Sequence, residues 1–164
     1  MESEKDNLNN ALVQKSRPLF SLWKEKEKIN LFEYKMLDMY LSRINSHDPN
    51  NRTVSFSMDD MSEIISSHIT KAEMLERLKK LQGIVVSYGD DAAVTLFEYS
   101  KIHIDDKHFE VELMCTQTAH KFFFNIERIG YFKYKFRNYI CIKTRFFYCL
   151  FIFNFFFFNI NCFK

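Results

Sequence analysis

The chain has 164 residues, 47% of them apolar and 27% charged. That excludes a disordered or collagen-like polypeptide and leaves room for one ordinary domain plus a tail. The net charge of +2 hides an asymmetry: residues 1–120 carry 15 Lys and Arg against 20 Asp and Glu, net −5, and residues 121–164 carry 8 against 1, net +7, so bulk charge does not mark the chain as a nucleic-acid binder.

The opening MESEKDNLNN is acidic and polar. It lacks the apolar core of a secretory signal, and residues 1–14 are expected to stay mobile. After Ser16-Arg17-Pro18, a packed segment begins at Leu19, Phe20, Leu22 and Trp23. KEKEK, residues 24–28, is a solvated connector whose Glu residues cancel much of its charge. Asn30 followed by Glu33 reads as a capping box, with Ile29 and Tyr34 as its hydrophobic staple. Tyr34, Leu37, Leu41 and Ile44 continue at helical spacing, so a helix is expected over 31–44.

NSHDPNNRT, residues 45–53, stops that helix with turn formers. TVSFSM, residues 53–58, alternates as a short strand. DDMSEIISS follows as a short helix marked by Met61, Ile64 and Ile65, with Asp59-Asp60 stabilising its start by charge. Thr70-Lys71-Ala72-Glu73 is a second capping box, stapled by Ile69 and Met74. Leu75, Leu78 and Leu81 form the expected buried stripe, and Gly83 closes the helix.

Residues 84–88 and 93–99, joined by Gly89-Asp90-Asp91, read as a β-hairpin, with 100–104 extending its second strand. Asp105-Asp106-Lys107 turns the chain. Phe109, Val111 and Leu113 then alternate with Glu110 and Glu112 as a half-buried strand. A helix is expected from Thr118 to about Arg128, with Phe122, Phe123 and Ile126 inward. Gly130 breaks it before an aromatic, basic segment from Tyr131 to Ile140. Tyr34, Leu37, Leu41, Ile64, Leu75, Leu78, Leu81, Val111 and Leu113 are the expected core.

Two short helices joined by a tight turn and followed by a two-stranded ribbon make a winged helix-turn-helix, an α+β fold. Its second helix suits the DNA major groove, and its hairpin suits the adjacent backbone. Lys71 stands in the first turn, beside N–H groups able to bind phosphate, and Arg77 and Lys80 can neutralise further phosphates. The competing reading is a solvated face stitched by Glu73–Arg77 and Glu76–Lys80 pairs.

No chemistry-bearing motif competes with this reading. The chain has three Gly, no P-loop and no Ser/His/Asp grouping. His103, Asp105, Asp106 and His108 bracket a turn but fit no standard metal spacing. Three of the four Cys follow residue 140, and no CxxC occurs, so no zinc site or disulfide framework is expected. No enzyme activity, cofactor or metal is expected.

SRPLFSLWKEKEKINLFEYKMLDMYLSRI, TVSFSMDDMSEIIS, KAEMLERLKKLQGIVV, VTLFEYSKIHID and HFEVELMCTQTAHKFFFN together resemble the N-terminal winged-helix domain of the Rep family of plasmid replication initiators, from about Lys15 to Ile140. The resemblance implies a noncatalytic, cytoplasmic protein that binds repeated origin DNA, forms a homodimer and recruits host replication proteins. It pairs a first winged helix for dimerisation and backbone contact with a second that reads sequence. Carried over by position, Lys71, Arg77 and Lys80 fall on the exposed face of the second helix, and Ser87, Tyr88 and Lys101 on the hairpin. The expected organisation is a disordered 1–14, an initiator domain over 15–140 and an aberrant tail over 141–164. Without the second module, DNA binding is expected to be weak.

The tail raises its own question. Nine of the nineteen Phe lie between Phe146 and Phe163. As a helix, that run would reach about 27 Å, barely the hydrocarbon thickness, and it would place Asn154, Asn159 and Asn161 in lipid. Its vocabulary of Phe, Tyr, Cys, Leu, Ile, Asn and Lys suits an AT-rich gene read in a shifted frame, and a frameshifted or truncated product is the favoured reading. The alternatives are a small tail-anchored membrane protein and a winged-helix transcription regulator acting at a promoter rather than an origin.

Overall fold

The computed structural model describes residues 12–22, 29–57, 60–61, 69–88, 90–104, 109–124 and 131–135. Expectations for KEKEK, Ile64, the 105–108 turn, Ile126 and the tail lie outside these residues. Strand β1 (Leu12–Ser16) leads into the short helix α1 (Arg17–Ser21), which has Pro in its first turn. There the missing proline N–H costs nothing. Residues 12–14, within the expected 1–14 segment, belong to this strand. Val13 is fully buried, and β1 pairs antiparallel with β7 (Tyr131–Lys135), Leu12 opposite Lys135. A five-residue strand at the edge of a polar segment carries too little pattern to be seen in sequence; only its distant partner reveals it.

Helix α2 (Leu31–Arg43) begins where the capping box places it. Asn30 Oδ1 accepts the N–H of Phe32 and Glu33, and Glu33 Oε2 accepts the N–H of Asn30 at 3.0 Å. The helix is buried from Glu33 to Leu41. Its burial extends beyond the apolar stripe because β1 covers the remaining face and inserts Lys15, whose ammonium pairs with the Asp38 carboxylate inside the core and lies 4.8 Å from the centre of the Tyr34 ring.

Strand β2 (Thr53–Ser57) alternates as expected, Val54 and Phe56 inward. Residues 60 and 61 are helical, with Met61 buried. Helix α3 (Lys71–Gln82) carries the second capping box: Glu73 donates its N–H to Thr70 Oγ1 at 3.2 Å, and Glu73 Oε2 accepts from Thr70 N–H at 2.9 Å. Replacing Thr70 by Ala leaves the Glu73 N–H without its side-chain acceptor. Thr70→Ala is expected to lower Tm by a few degrees in a thermal melt.

The buried stripe of α3 is Met74, Leu78 and Leu81, not Leu75, Leu78 and Leu81. Leu75 is 40% exposed. Both sets fit helical spacing; the face turned to the sheet selects Met74, one residue earlier. Gly83 occupies the C-cap with φ of −73°, a right-handed conformation open to any residue, so its freedom at positive φ is not used.

The hairpin after α3 is shorter than expected. Strands β3 (Val85–Tyr88) and β4 (Ala92–Thr95) pair only with each other, and the chain breaks at Leu96 before β5 (Phe97–Ile104). Residues 93–104 therefore do not form one strand. β5 joins β6 (Phe109–Cys115), and β6 joins β2, giving an antiparallel sheet of order β2-β6-β5.

After β6 comes α4 (Gln117–Ala119), capped by Thr116 Oγ1 accepting Ala119 N–H at 3.0 Å. It runs on into a π-helical turn (His120–Phe124) that buries Phe123 and Phe124 and leaves Phe122 half-buried. Phe122 and Phe123 were expected to face inward. The wider turn shifts the inward set by one residue.

Tyr40 ties these layers together. Its hydroxyl donates to the Arg52 carbonyl at 2.5 Å and accepts the Cys115 N–H at 3.3 Å. Its ring meets Phe97 edge-on at 5.1 Å. Burial pushes the Tyr40 phenol above its ordinary range and the Cys115 thiol up from 9.0 to about 11. Both groups keep their protons in the folded state after the unfolded chain has lost them. That stabilisation is intact below the unfolded values and is lost as pH rises through the folded ones. Urea midpoints are expected to fall between pH 9 and 11, the thiol alone contributing about 2–3 kcal/mol. Cys115→Ala should flatten the first part of that fall.

Candidate nucleic-acid interface

In a winged helix the wing belongs to the sheet that also holds the strand preceding the helix pair. By register that strand is β2, and the hairpin joined to it is β5–β6. The wing is therefore 97–115, not the 84–99 hairpin expected from turn signals. Lys101 lies on this wing. Ser87 and Tyr88 lie on the separate β3–β4 ribbon. The six expected contact residues consequently fall on three elements rather than two.

The start of the helix pair is fixed by a cluster that the sequence reading missed. Asp60 accepts from Ser57 N–H at 2.9 Å and from Ser57 Oγ at 3.0 Å, while its own N–H donates to Ser57 Oγ at 3.3 Å. Arg43, at the end of α2, donates to Asp60 at 2.6 Å and to the Ser55 carbonyl at 2.8 Å. These donors outweigh burial and hold the Asp60 carboxyl below its usual range. Asp60 thus acts as a reciprocal cap rather than only as charge at a helix end. The signal was present as Ser57-x-x-Asp60, the same spacing used at Asn30 and Thr70.

On α3, Lys71 and Lys80 are exposed, and Arg77 is half-buried with its guanidinium 4.7 Å from the Phe32 ring centre. Glu76 pairs with Lys79 at 2.8 Å, not with Lys80. Glu73 is engaged by Thr70, whose N–H lowers the carboxyl below its ordinary range. Two of the helix's own carboxylates are thus occupied locally, and Lys71 and Lys80 point to solvent. Helix geometry also leaves the Lys71 and Ala72 N–H groups without intrahelical acceptors.

The wing is electrostatically different. Lys101 stands opposite Glu112, and His103 opposite Glu110. Glu112 also accepts from the Tyr99 hydroxyl at 2.5 Å and lies 3.8 Å from His103. Lys101 therefore faces a carboxylate, whereas Lys71 and Lys80 on α3 are exposed. Arg52 bonds Glu98 at 3.0 Å and also donates to the Cys115 carbonyl, and Gln82 Nε2 donates to the Glu98 carbonyl at 3.0 Å. These contacts lock the wing to α3 and to the β2 edge.

On the β3–β4 ribbon, Ser87 is exposed. Tyr88 stacks on Phe122 with centroids 4.5 Å apart and meets Phe123 edge-on at 6.0 Å. Those rings fasten the ribbon to the π-helical turn after α4, a structural task for Tyr88 that its position did not announce.

A capped helical start at Asp60, the cation-bearing helix α3 and a wing in register with the strand before them are parts of a winged helix. Residues 12–150 match the family model of the initiator replication protein, WH1 domain. The chain belongs to this family of plasmid replication initiators. The match starts where β1 starts, three residues before the expected 15, and runs ten past the expected 140. No curated protein and no solved structure matches the chain significantly. Among the described residues there is no group of three or more metal-ligating side chains, and no helix is long and apolar enough to cross a membrane.

Proposed function

We propose that the chain binds repeated origin DNA without catalysis, through α3 in the major groove and the wing on the flanking backbone. It associates as a homodimer and presents the origin to host replication proteins in the cytoplasm. The WH1 match carries this reading, and the exposed Lys71 and Lys80 with the half-buried Arg77 on one helix support it. Ser87 and Lys101 contact phosphate at the flanks; Tyr88 acts by holding the ribbon.

Affinity is modest and mostly electrostatic. Helix α3 carries four cations and two carboxylates, and Lys101 on the wing stands opposite Glu112, so few phosphates are neutralised. Fluorescence anisotropy with an origin-repeat duplex at low salt tests this. Binding that weakens steeply with salt and shows little preference over scrambled duplex is expected. No binding at low salt would refute the reading, and tight, sequence-selective binding would refute the weak, backbone-led mode. Sedimentation equilibrium checks the dimer.

A further inference from the structure

A groove of about 570 Å³ lies between the turn after α2 and the start of α4, and no α3 residue lines it. Ser46 and His47 line one side, and Gln117, Thr118, His120 and Lys121 the other. Its size falls in the range of small-ligand sites. Besides His120, five of the eight lining side chains carry N–H or O–H donors, Lys121 among them as a cation, and none is a carboxylate. The nearest acid in sequence, Asp48, is turned into its own loop, accepting Asn50 N–H at 3.0 Å.

The walls are held in place. His120 is 2% exposed, and its Nε2 sits 3.2 Å from the Asn45 carbonyl. An acceptor there requires the proton on Nε2, which ties the two walls together. The Lys121 ammonium rides 5.6 Å from the Phe122 ring centre, and Phe122 is itself braced by Tyr88. A donor-rich, carboxylate-free concavity with one anchored cation fits a phosphate group.

We propose that this groove is a second anion site, taking the phosphates of a free nucleotide or of a DNA strand passing beside the winged helix. Only the DNA source rests on the function proposed above. The test uses the full 164-residue chain and a double variant, His47→Asn with Lys121→Gln, both exposed positions; buried His120 is left intact, and thermal melts check the fold. Calorimetry with ATP and with inorganic phosphate reads the first source. If free nucleotide is the occupant, ATP binds the parent chain and the double variant weakens it at least tenfold. If DNA is the occupant, ATP does not bind, and the double variant lowers the salt slope of duplex binding by up to about 1.8, roughly 0.9 per phosphate contact. Unchanged ATP binding and unchanged DNA salt slope would overturn the proposal, as would a parent chain that binds neither. A parent chain that binds ATP in this groove but no DNA would overturn the origin-binding reading and leave the groove standing.

Discussion

Asp38→Ala is expected to destabilise the domain by about 3–5 kcal/mol, the cost of leaving one partner of a buried ion pair alone. Lys15 is 1% exposed and Asp38 is fully buried. Burial lowers the Lys15 pKa, and Asp38 opposes that shift. Without the carboxylate the amine has a way out: it folds neutral. The cost of stripping its proton at pH 7 from an unfolded value of 10.5 is about 5 kcal/mol, which caps the loss.

The sign with pH follows from that cap. The unfolded chain then binds more protons at Lys15 than the folded one, so this stability is missing at neutral pH and returns as pH rises toward 10.5. The gap between variant and parent should therefore narrow by up to about 1.4 kcal/mol per pH unit. Urea titrations at pH 7 and 9.5 check this. A gap below 1 kcal/mol at pH 7 would mean that water reaches the pair. Lys15→Met with Asp38→Leu should recover most of the loss, because an apolar pair of similar volume needs no compensation.

The second large effect is on binding. Replacing Lys71, Arg77 and Lys80 together by Gln is expected to lower the salt slope of duplex binding by about 2.7 if each contacts phosphate, at roughly 0.9 per contact. Affinity at physiological salt should fall by tens-fold or more. Folding should change little, because Lys71 and Lys80 are exposed and only Arg77 gives up a ring contact with Phe32. Anisotropy across a salt series reads the slope. Lys101→Gln serves as the contrast: Lys101 stands opposite Glu112, so its loss should lower the slope by well under one contact. If the wing variant costs more than the helix variant, α3 is not the main contact surface.

Capping made α2 and α3 legible. A polar cap with Glu three residues on is a local hydrogen-bond arrangement, and both boxes form at Asn30 and Thr70 as written. The same logic applied to Ser57 would have found Asp60. The alternation of β2 and β6 was equally plain, since one face of each is buried and the other is not. The contact residues were less legible. Lys71 and Lys80 are exposed as expected, but Tyr88 is committed to Phe122 and Lys101 belongs to a different hairpin from Ser87.

The amino-acid order alone settled where α2 and α3 start and which strands are half-buried, because each depends on neighbours within a few residues, and those segments taken together carried the resemblance to the initiator family. Tertiary structure alone decided which hairpin is the wing, which leucine of α3 faces out and that Leu12–Ser16 is a strand covering α2. Each of those is a choice between locally equivalent patterns. A strand's own residues cannot say which distant edge will satisfy its hydrogen bonds, and a helix's stripe cannot be centred to within one residue until the surface it meets is in place.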